Sequence, residues 1–311
     1  MDTLSRLLAV YPLRTALDVR CHFGAPWVLD HPAAGPGVAP YHLIVRGSAT
    51  LDCAAGHGVP LQAGDIVVFP HGGAHRLSLG EAGAASPLHV LPGEHSLREV
   101  RNGGDGPAAD ILCGEFHFDA EAGGGPGLLA ALPPLLVVRT AGRPDAASLR
   151  SLMAMLQSEA EMPRAGSGAV ISQLASALFA LLIRAWMDQA PTVPGLFALL
   201  AGRRLQAALH GMLAQPERAW DLAQLAALCY VSRATFARLF KQTAGATPAE
   251  VLARLRMAQA ARLLDQGQQV TGSIAEMVGY QSEAAFNRAF KRHYGVGPGA
   301  WRKRAQAAIA S

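Results

Sequence analysis

The chain has 311 residues, half of them hydrophobic, and a formal net charge of +4; that length accommodates two domains and that apolar content two cores. No apolar run reaches the roughly 20 residues that a membrane-spanning helix needs, the start MDTLSRLLAVYPLR lacks the pattern of a secretory signal, and the four cysteines stand without CxxC spacing. A membrane span and a disulfide framework are thereby excluded, and a cytoplasmic protein with reduced thiols is expected. The net charge conceals an asymmetry. Residues 1–199 hold 12 Lys and Arg against 17 Asp and Glu, a net of −5, whereas residues 200–311 hold 15 against 6, a net of +9. A basic C-terminal third on an acidic body is the electrostatic footprint of nucleic-acid binding. Histidine divides the other way, with nine of eleven before residue 120.

In chain order, residues 1–120 carry short runs bounded by Gly, Pro or Asp: YHLIVRG, SATLDC, DIVVFP, HRLSL, PLHVL and ADILCGEFHF. Runs of this length and punctuation predict the strands of a β-sandwich or barrel. RNGGDGPAAD reads as a loop, and EAGGGPG closes the region. From about Ala146 the period becomes helical, through AASLRSLMAMLQSEAEM and AVISQLASALFALLIRAWMDQ. The stretch ASALFALLIRAW is interrupted by Arg184 and reads as a buried helix. These helices (about 146–189) either pack on the barrel or supply a homodimer contact. Residues 191–199 read as a linker, marked by the two prolines and the glycine of APTVPG (190–195). Everything after it is helical and basic.

Two segments of this basic region repeat one element, FARLFKQTAGATP (236–248) and FNRAFKRHYGVGP (286–298). Phe236, Arg238, Phe240, Lys241, Gly245 and Pro248 return as Phe286, Arg288, Phe290, Lys291, Gly295 and Pro298. Before each copy stand a short helical segment (222–228 and 273–278), a turn of three to four residues, and a serine, Ser232 or Ser282. That serine is suited to cap the following helix by accepting a backbone N–H bond. Helix, tight turn and capped helix form a helix-turn-helix, whose second helix enters the DNA major groove.

The helical period buries Phe236, Leu239 and Phe240 in one copy and Phe286, Ala289 and Phe290 in the other. It leaves Arg233, Ala234, Ala237, Arg238 and Lys241 on the open face of the first, and Glu283, Ala284, Asn287, Arg288, Lys291 and Arg292 on that of the second. With the capping Ser232 and Ser282, these are the candidate DNA-contacting residues. Arg suits a guanine edge, Asn an adenine, Glu a cytosine amino group and Ala a thymine methyl. Arg238 and Arg288 serve equally as phosphate contacts, and Glu283 also suits a helix N-terminus with no base role. The intervening VLARLRMAQAARLLDQ has no breaker and reads as one rigid helix. Two units so spaced can enter successive major grooves, about 34 Å apart. Their differing open faces imply a non-palindromic site.

IAEMVGYQSEAAFNRAFKRHYGVGPGAWRKR closely resembles the signature of AraC/XylS-type transcription regulators, in Ile274, Ala275, Val278, Gly279, Tyr280, Ser282, Phe286, Arg288, Phe290, Lys291, Gly295, Pro298, Trp301 and Arg302. The first copy fits from Leu225-Ala226 through Ser232 to Pro248. The resemblance covers about residues 200–305. It implies a seven-helix DNA-binding domain, double-stranded promoter DNA and RNA polymerase as partners, and mostly activation. Ala234 and Ala237 replace larger polar groups often found there, so the first unit is expected mainly to hold phosphates.

GDIVVFPHGGAH (64–75) fits G-x5-P-x-G-x2-H and resembles the second motif of cupin barrels. YHLIVRGSATL sits where their first motif would lie, but the metal-binding version needs His-x-His followed by Glu, and here His42 stands alone. Neither a metal site, a cofactor nor a catalytic residue is therefore assigned. The alternatives kept open are a cupin-type metalloenzyme or metal sensor fused to a DNA-binding tail, and, more remotely, an alkyl-transfer repair protein. The expected fold is α+β in two domains. Residues 1–190 form a cupin-like sensor domain (barrel about 1–120), and residues 200–311 form an all-α domain with helix-turn-helix units at about 222–243 and 273–293.

Three inputs are open for the sensor domain. MDTLSRLL followed by Cys21 is similar to regulators responding to reactive chlorine, and Cys21 lies between Arg20 and His22, positive neighbours that lower a thiol pKa. A sulfenic acid or a disulfide with Cys113 or Cys53 would then carry the signal. Alternatively a small molecule occupies the barrel, lined by Trp27, Tyr41 and His42. The third input is a metal on His42, His75, His89 and His95. Cys229 reads as core.

Overall fold

The computed structural model describes residues 1–81, 85–91, 98–118, 127–162, 164–190, 192–193 and 195–310. The chain divides into two compact units. One comprises Leu13–His117 and Pro133–Ala190; the other comprises Met1–Pro12, Phe118–Leu132 and Pro191–Ser311.

The first unit is built on two sheets. β1 (Arg14–Gly24), β3 (Val38–Arg46), β6 (Ile66–Val68), β8 (Leu88–Leu91), β9 (Arg98–Asn102), β10 (Ala108–His117) and β11 (Leu136–Val138) form one, in the order β11-β6-β3-β10-β1-β9-β8. β2 (Trp27–His31), β4 (Ser48–Cys53), β5 (Gly56–Gln62) and β7 (His75–Leu79) form the other, in the order β2-β7-β4-β5. Their inner faces share one core containing Cys21, Ile44, Val67, Ile111 and Cys113 from the first sheet and Trp27, Leu51, Leu61 and Leu77 from the second. Period-2 alternation decides which side chains enter it. In β1 the inward residues are Cys21 and Phe23; in β10 they are Ala109, Ile111 and Cys113.

The opposite face of the larger sheet is covered by α2 (Ala147–Glu161) and α3 (Ser167–Gln189). Phe116 of β10 meets Phe179 of α3 with ring centroids 5.0 Å apart, and Tyr41 stacks on Phe116 at 4.4 Å. Helix α3 has 23 residues and is long and apolar enough to cross a membrane, contrary to the expectation that no segment reaches that length. Ala175, Leu178, Phe179, Leu182, Ile183 and Trp186 form its buried stripe, and it packs on β1 and β11. Arg184 is exposed beside that stripe and does not interrupt it.

The second unit is helical: α1 (Thr3–Val10), α4 (Gly195–Ala201), α5 (Gln206–Ala214), α6 (Leu222–Leu228), α7 (Arg233–Ala244), α8 (Pro248–Gln266), α9 (Thr271–Met277), α10 (Glu283–Tyr294) and α11 (Pro298–Ala310). Two features depart from the expected division. Helix α1, assigned by sequence to the sensor domain, packs on α5 and α8, and Thr3 Oγ1 lies 3.1 Å from His210 Nδ1. Residues 195–199, read as linker, begin α4, whose Phe197, Leu199 and Leu200 are buried; Pro191 and Pro194 lie outside the described residues. The linker reading rested on Pro and Gly punctuation, which does not register that the following apolar triplet has a core to enter.

Candidate DNA-binding surface and sensor interior

Each half of the helical unit follows the same local logic. Ser232 accepts from Thr235 N–H and Ser282 from Ala285 N–H, both at 3.2 Å, which starts α7 and α10. Gly245 and Gly295 end them in the left-handed conformation, at φ 69° and 74°. Phe236 and Phe240 face inward with centroids 5.4 Å apart, and Phe286 and Phe290 do the same at 5.6 Å. Leu239 is only half-buried, against its expected place in the core.

The opposite faces stand open. Ser232, Arg233, Ala234, Arg238 and Lys241 are exposed on one helix, and Ser282, Glu283, Ala284, Arg288, Lys291 and Arg292 on the other. Ala237 and Asn287 are half-buried. A groove lined by Thr271, Glu283, Asn287, Arg288, Lys291 and Pro298 follows the second of these helices. Between the two units runs α8, 19 unbroken residues and about 28 Å of helix, capped by a reciprocal Thr247–Glu250 box.

The two turns differ at their left-handed residue. At the second, Gly279 takes φ 79°; at the first, the equivalent left-handed position is Tyr230 at φ 55°, with its side chain 96 % exposed. A non-glycine residue there is strained by roughly 1–2 kcal/mol.

Inside the β unit, the predicted sensor residues meet. Cys21 Sγ lies 4.0 Å from Cys113 Sγ, Cys113 Sγ 3.1 Å from His42 Nδ1, and His42 Nε2 2.7 Å from His75 Nε2. All four cysteines are free and buried. Register explains the thiol pair. Cys21 is opposite Ile111 and Val19 opposite Cys113, so the two thiols are diagonal neighbours on the inward face. Burial first, and then the neighbouring imidazoles His31 and His75, push the His42 imidazole well below its usual value; burial, opposed by the hydrogen bond to Gly73 O and reinforced by His31, takes His75 to about 4, so both rings are neutral. The hydrogen bond to Cys21, together with burial, pushes the Cys113 thiol well up.

Three expectations are corrected here. Arg20 and His22 do not activate Cys21: they point to the opposite face, where Arg20 pairs with Glu161 at 2.9 Å and His22 with Asp110 at 2.7 Å. The imidazole near the thiols is His42 instead. Tyr41 does not line the interior with Trp27 and His42, because alternation turns it toward Phe116 and α3. His89 is exposed on β8, away from His42 and His75, and His95 lies outside the described residues. His31, which sequence reasoning did not select, stacks on His75 at 4.8 Å and lies 4.5 Å from His42. The alternating pattern of WVLDH was its one sequence signal.

Two sheets enclosing a thiol–imidazole cluster, together with paired capped helices presenting basic faces, define a DNA-binding transcription regulator with a sensor domain. Comparison with known proteins agrees. A cupin family model matches residues 2–188, and a helix-turn-helix domain model matches residues 225–304. The chain is 33 % identical to the RCS-specific HTH-type transcriptional activator RclR of Escherichia coli (strain K12), over 98 % of each chain. It is 32 % identical to the HTH-type transcriptional regulator MtrA of Neisseria gonorrhoeae, over 97 % of this chain and 98 % of that one. It is 30 % identical to a proposed AraC-like transcription regulator of Streptomyces lividans, again over 97 % and 98 %. The chain belongs to the AraC-type family of transcription regulators that carry an N-terminal cupin domain.

Proposed function

We propose that the protein is a promoter-specific activator whose two recognition helices, α7 and α10, read successive major grooves and whose thiol pair receives an oxidant signal. Arg238 and Arg288 are the principal contacts, with Arg233, Lys241, Lys291 and Arg292 on phosphates and Asn287 and Glu283 toward base edges. Ala234 and Ala237 leave the first helix with few base-reading groups. The second unit therefore carries more of the specificity. Helices α2 and α3 serve a homodimer, RNA polymerase is the partner recruited at the promoter, and the cytoplasm is the setting.

The observation that carries the oxidant reading is the line of contacts Cys21–Cys113–His42. The RCS-specific activator of Escherichia coli, similar over its whole length, supports a reactive-chlorine signal. In the proposed reaction, Cys113 sulfur attacks the chlorine of hypochlorous acid, its proton passing to His42 and hydroxide leaving as water once that proton is returned. Cys21 sulfur then displaces chloride and loses its own proton. In sum, two thiols and one hypochlorous acid give one disulfide, water, chloride and a proton; sulfur loses two electrons. A disulfide between diagonal positions pulls β1 against β10 and strains the ladder.

Fluorescence anisotropy on the DNA upstream of its own gene, reduced and then with a small excess of hypochlorite, tests this reading. An oxidant-dependent change abolished in Cys21→Ala is the expected result. Binding that is tight and indifferent to oxidant overturns the thiol reading and shifts the signal to a small molecule in the barrel.

A further inference from the structure

The interior cluster gathers more metal-binding donors than a thiol switch needs. One ring nitrogen each of His31 and His42 and the Sγ of Cys113 all lie within 4.8 Å of one another. His75 stands beside them, its Nε2 2.7 Å from His42 Nε2. The donors come from four strands, His31 at the end of β2, His42 in β3, His75 at the start of β7 and Cys113 in β10, so both sheets contribute.

Proton accounting shows where the cluster is incomplete. His75 Nδ1 lies 2.8 Å from Gly73 O, which can only accept, so Nδ1 holds the proton and Nε2 is bare. His42 Nε2 must then donate to it. That leaves His42 Nδ1 bare to accept from the Cys113 thiol. Every nitrogen of these two rings is thereby satisfied. The exception in the cluster is His31 Nε2, which is buried and has no hydrogen-bond partner among the described residues. A buried unpaired nitrogen is costly in an interior otherwise lined by Phe69, Trp27 and Leu77.

We propose that this cluster is a metal site, in which His31, His42 and the Cys113 thiolate bind a borderline transition ion of the Zn(II) type, with His75 accepting from His42 Nε2–H and so holding that ring with Nδ1 free to ligate. Tetrahedral Zn(II) with nitrogen and sulfur ligands holds its donors roughly 3.3–3.7 Å apart, given its bond lengths of about 2.0–2.3 Å. The observed spacing, up to 4.8 Å, requires closure by about 1.5 Å at most. One thiolate among imidazoles selects Zn(II) or Cu(I) over the hard cations, which take oxygen ligands. The ion replaces the thiol proton of Cys113 and engages the unpaired His31 nitrogen. This is not the His-x-His and Glu set of metal-binding cupins, since Ile44 stands where the second histidine would be. Cys113 is shared with the thiol pair, so a disulfide to Cys21 removes the thiolate donor and releases the ion.

The test titrates the reduced, metal-stripped full-length protein with Co(II), and then displaces it with Zn(II). Saturation at one ion per chain is expected, with a thiolate-to-cobalt charge-transfer band and tetrahedral d–d bands. Cys113→Ser removes the charge-transfer band. His31→Gln weakens affinity about tenfold or more. Cys21→Ala retains the charge-transfer band, because Cys21 supplies no ligand. Absence of these bands, or their persistence undiminished in both Cys113→Ser and His31→Gln, overturns the site. The titration needs neither oxidant nor DNA, so its failure leaves the oxidant reading standing, and failure of the oxidant response leaves the metal site standing.

Discussion

Replacing Gly279 by alanine tests how the second helix-turn-helix is held to the connecting helix. Gly279 sits at φ 79°, where any Cβ costs roughly 1–2 kcal/mol. The new Cβ would also lie 2.6 Å from Arg256 Nη2 and 2.7 Å from the backbone oxygen of Glu217. The backbone oxygen cannot swing aside, and the guanidinium is already committed: Arg256 Nε donates to Pro216 O at 2.7 Å and Nη2 to Arg218 O at 2.9 Å. Desolvation pushes the pKa of this half-buried guanidinium below its ordinary value, so its carbonyl partners matter. Losing one charge-assisted bond of this kind costs about 1.5–3 kcal/mol, giving a total of about 2.5–5 kcal/mol for Gly279→Ala. Gly245→Ala is the control. Its φ is 69°, but a Cβ there meets nothing within 4 Å, so only about 1–2 kcal/mol is expected. Urea unfolding of the two full-length variants, each compared with the parent, reads the difference. Equal losses in both variants would refute the clash and leave backbone conformation as the whole effect.

Tyr230→Gly relieves the matching left-handed position of the first turn and should stabilise by about 0.5–1 kcal/mol, the relief exceeding the glycine entropy penalty; the same unfolding curves measure it. Phe286→Ala should destabilise by about 3–5 kcal/mol, because the ring is fully buried against Phe290 and Tyr280. Arg288→Ala should weaken promoter binding by about 1–3 kcal/mol in anisotropy titrations, and unchanged affinity would remove α10 from the DNA interface. Lys291→Ala should weaken binding evenly across sequences and lower the slope of log affinity against log salt by about 1.

The DNA-binding half was legible because its signals are local. Serine caps, the C-cap glycines and the Phe-x3-Phe spacing act within a turn or two of helix, so they can be read along the chain. Even there, α1 and α4 escaped, since a short apolar segment becomes helix or linker according to the surface available to cover it. In the β unit the apolar runs marked β3, β4, β6, β7, β8 and β10, whereas β1, β2, β5, β9 and β11, with more polar or shorter runs, were not read; alternation then sets each residue's face. That rule turns Arg20 and His22 away from Cys21 and Tyr41 away from His42, although the residues are adjacent in sequence. Only the tertiary structure decided which inward residues meet. His31, His42, His75 and Cys113 lie on four different strands of two sheets, so their approach depends on strand order, register and the closing of one sheet over the other, and chain spacing encodes none of these.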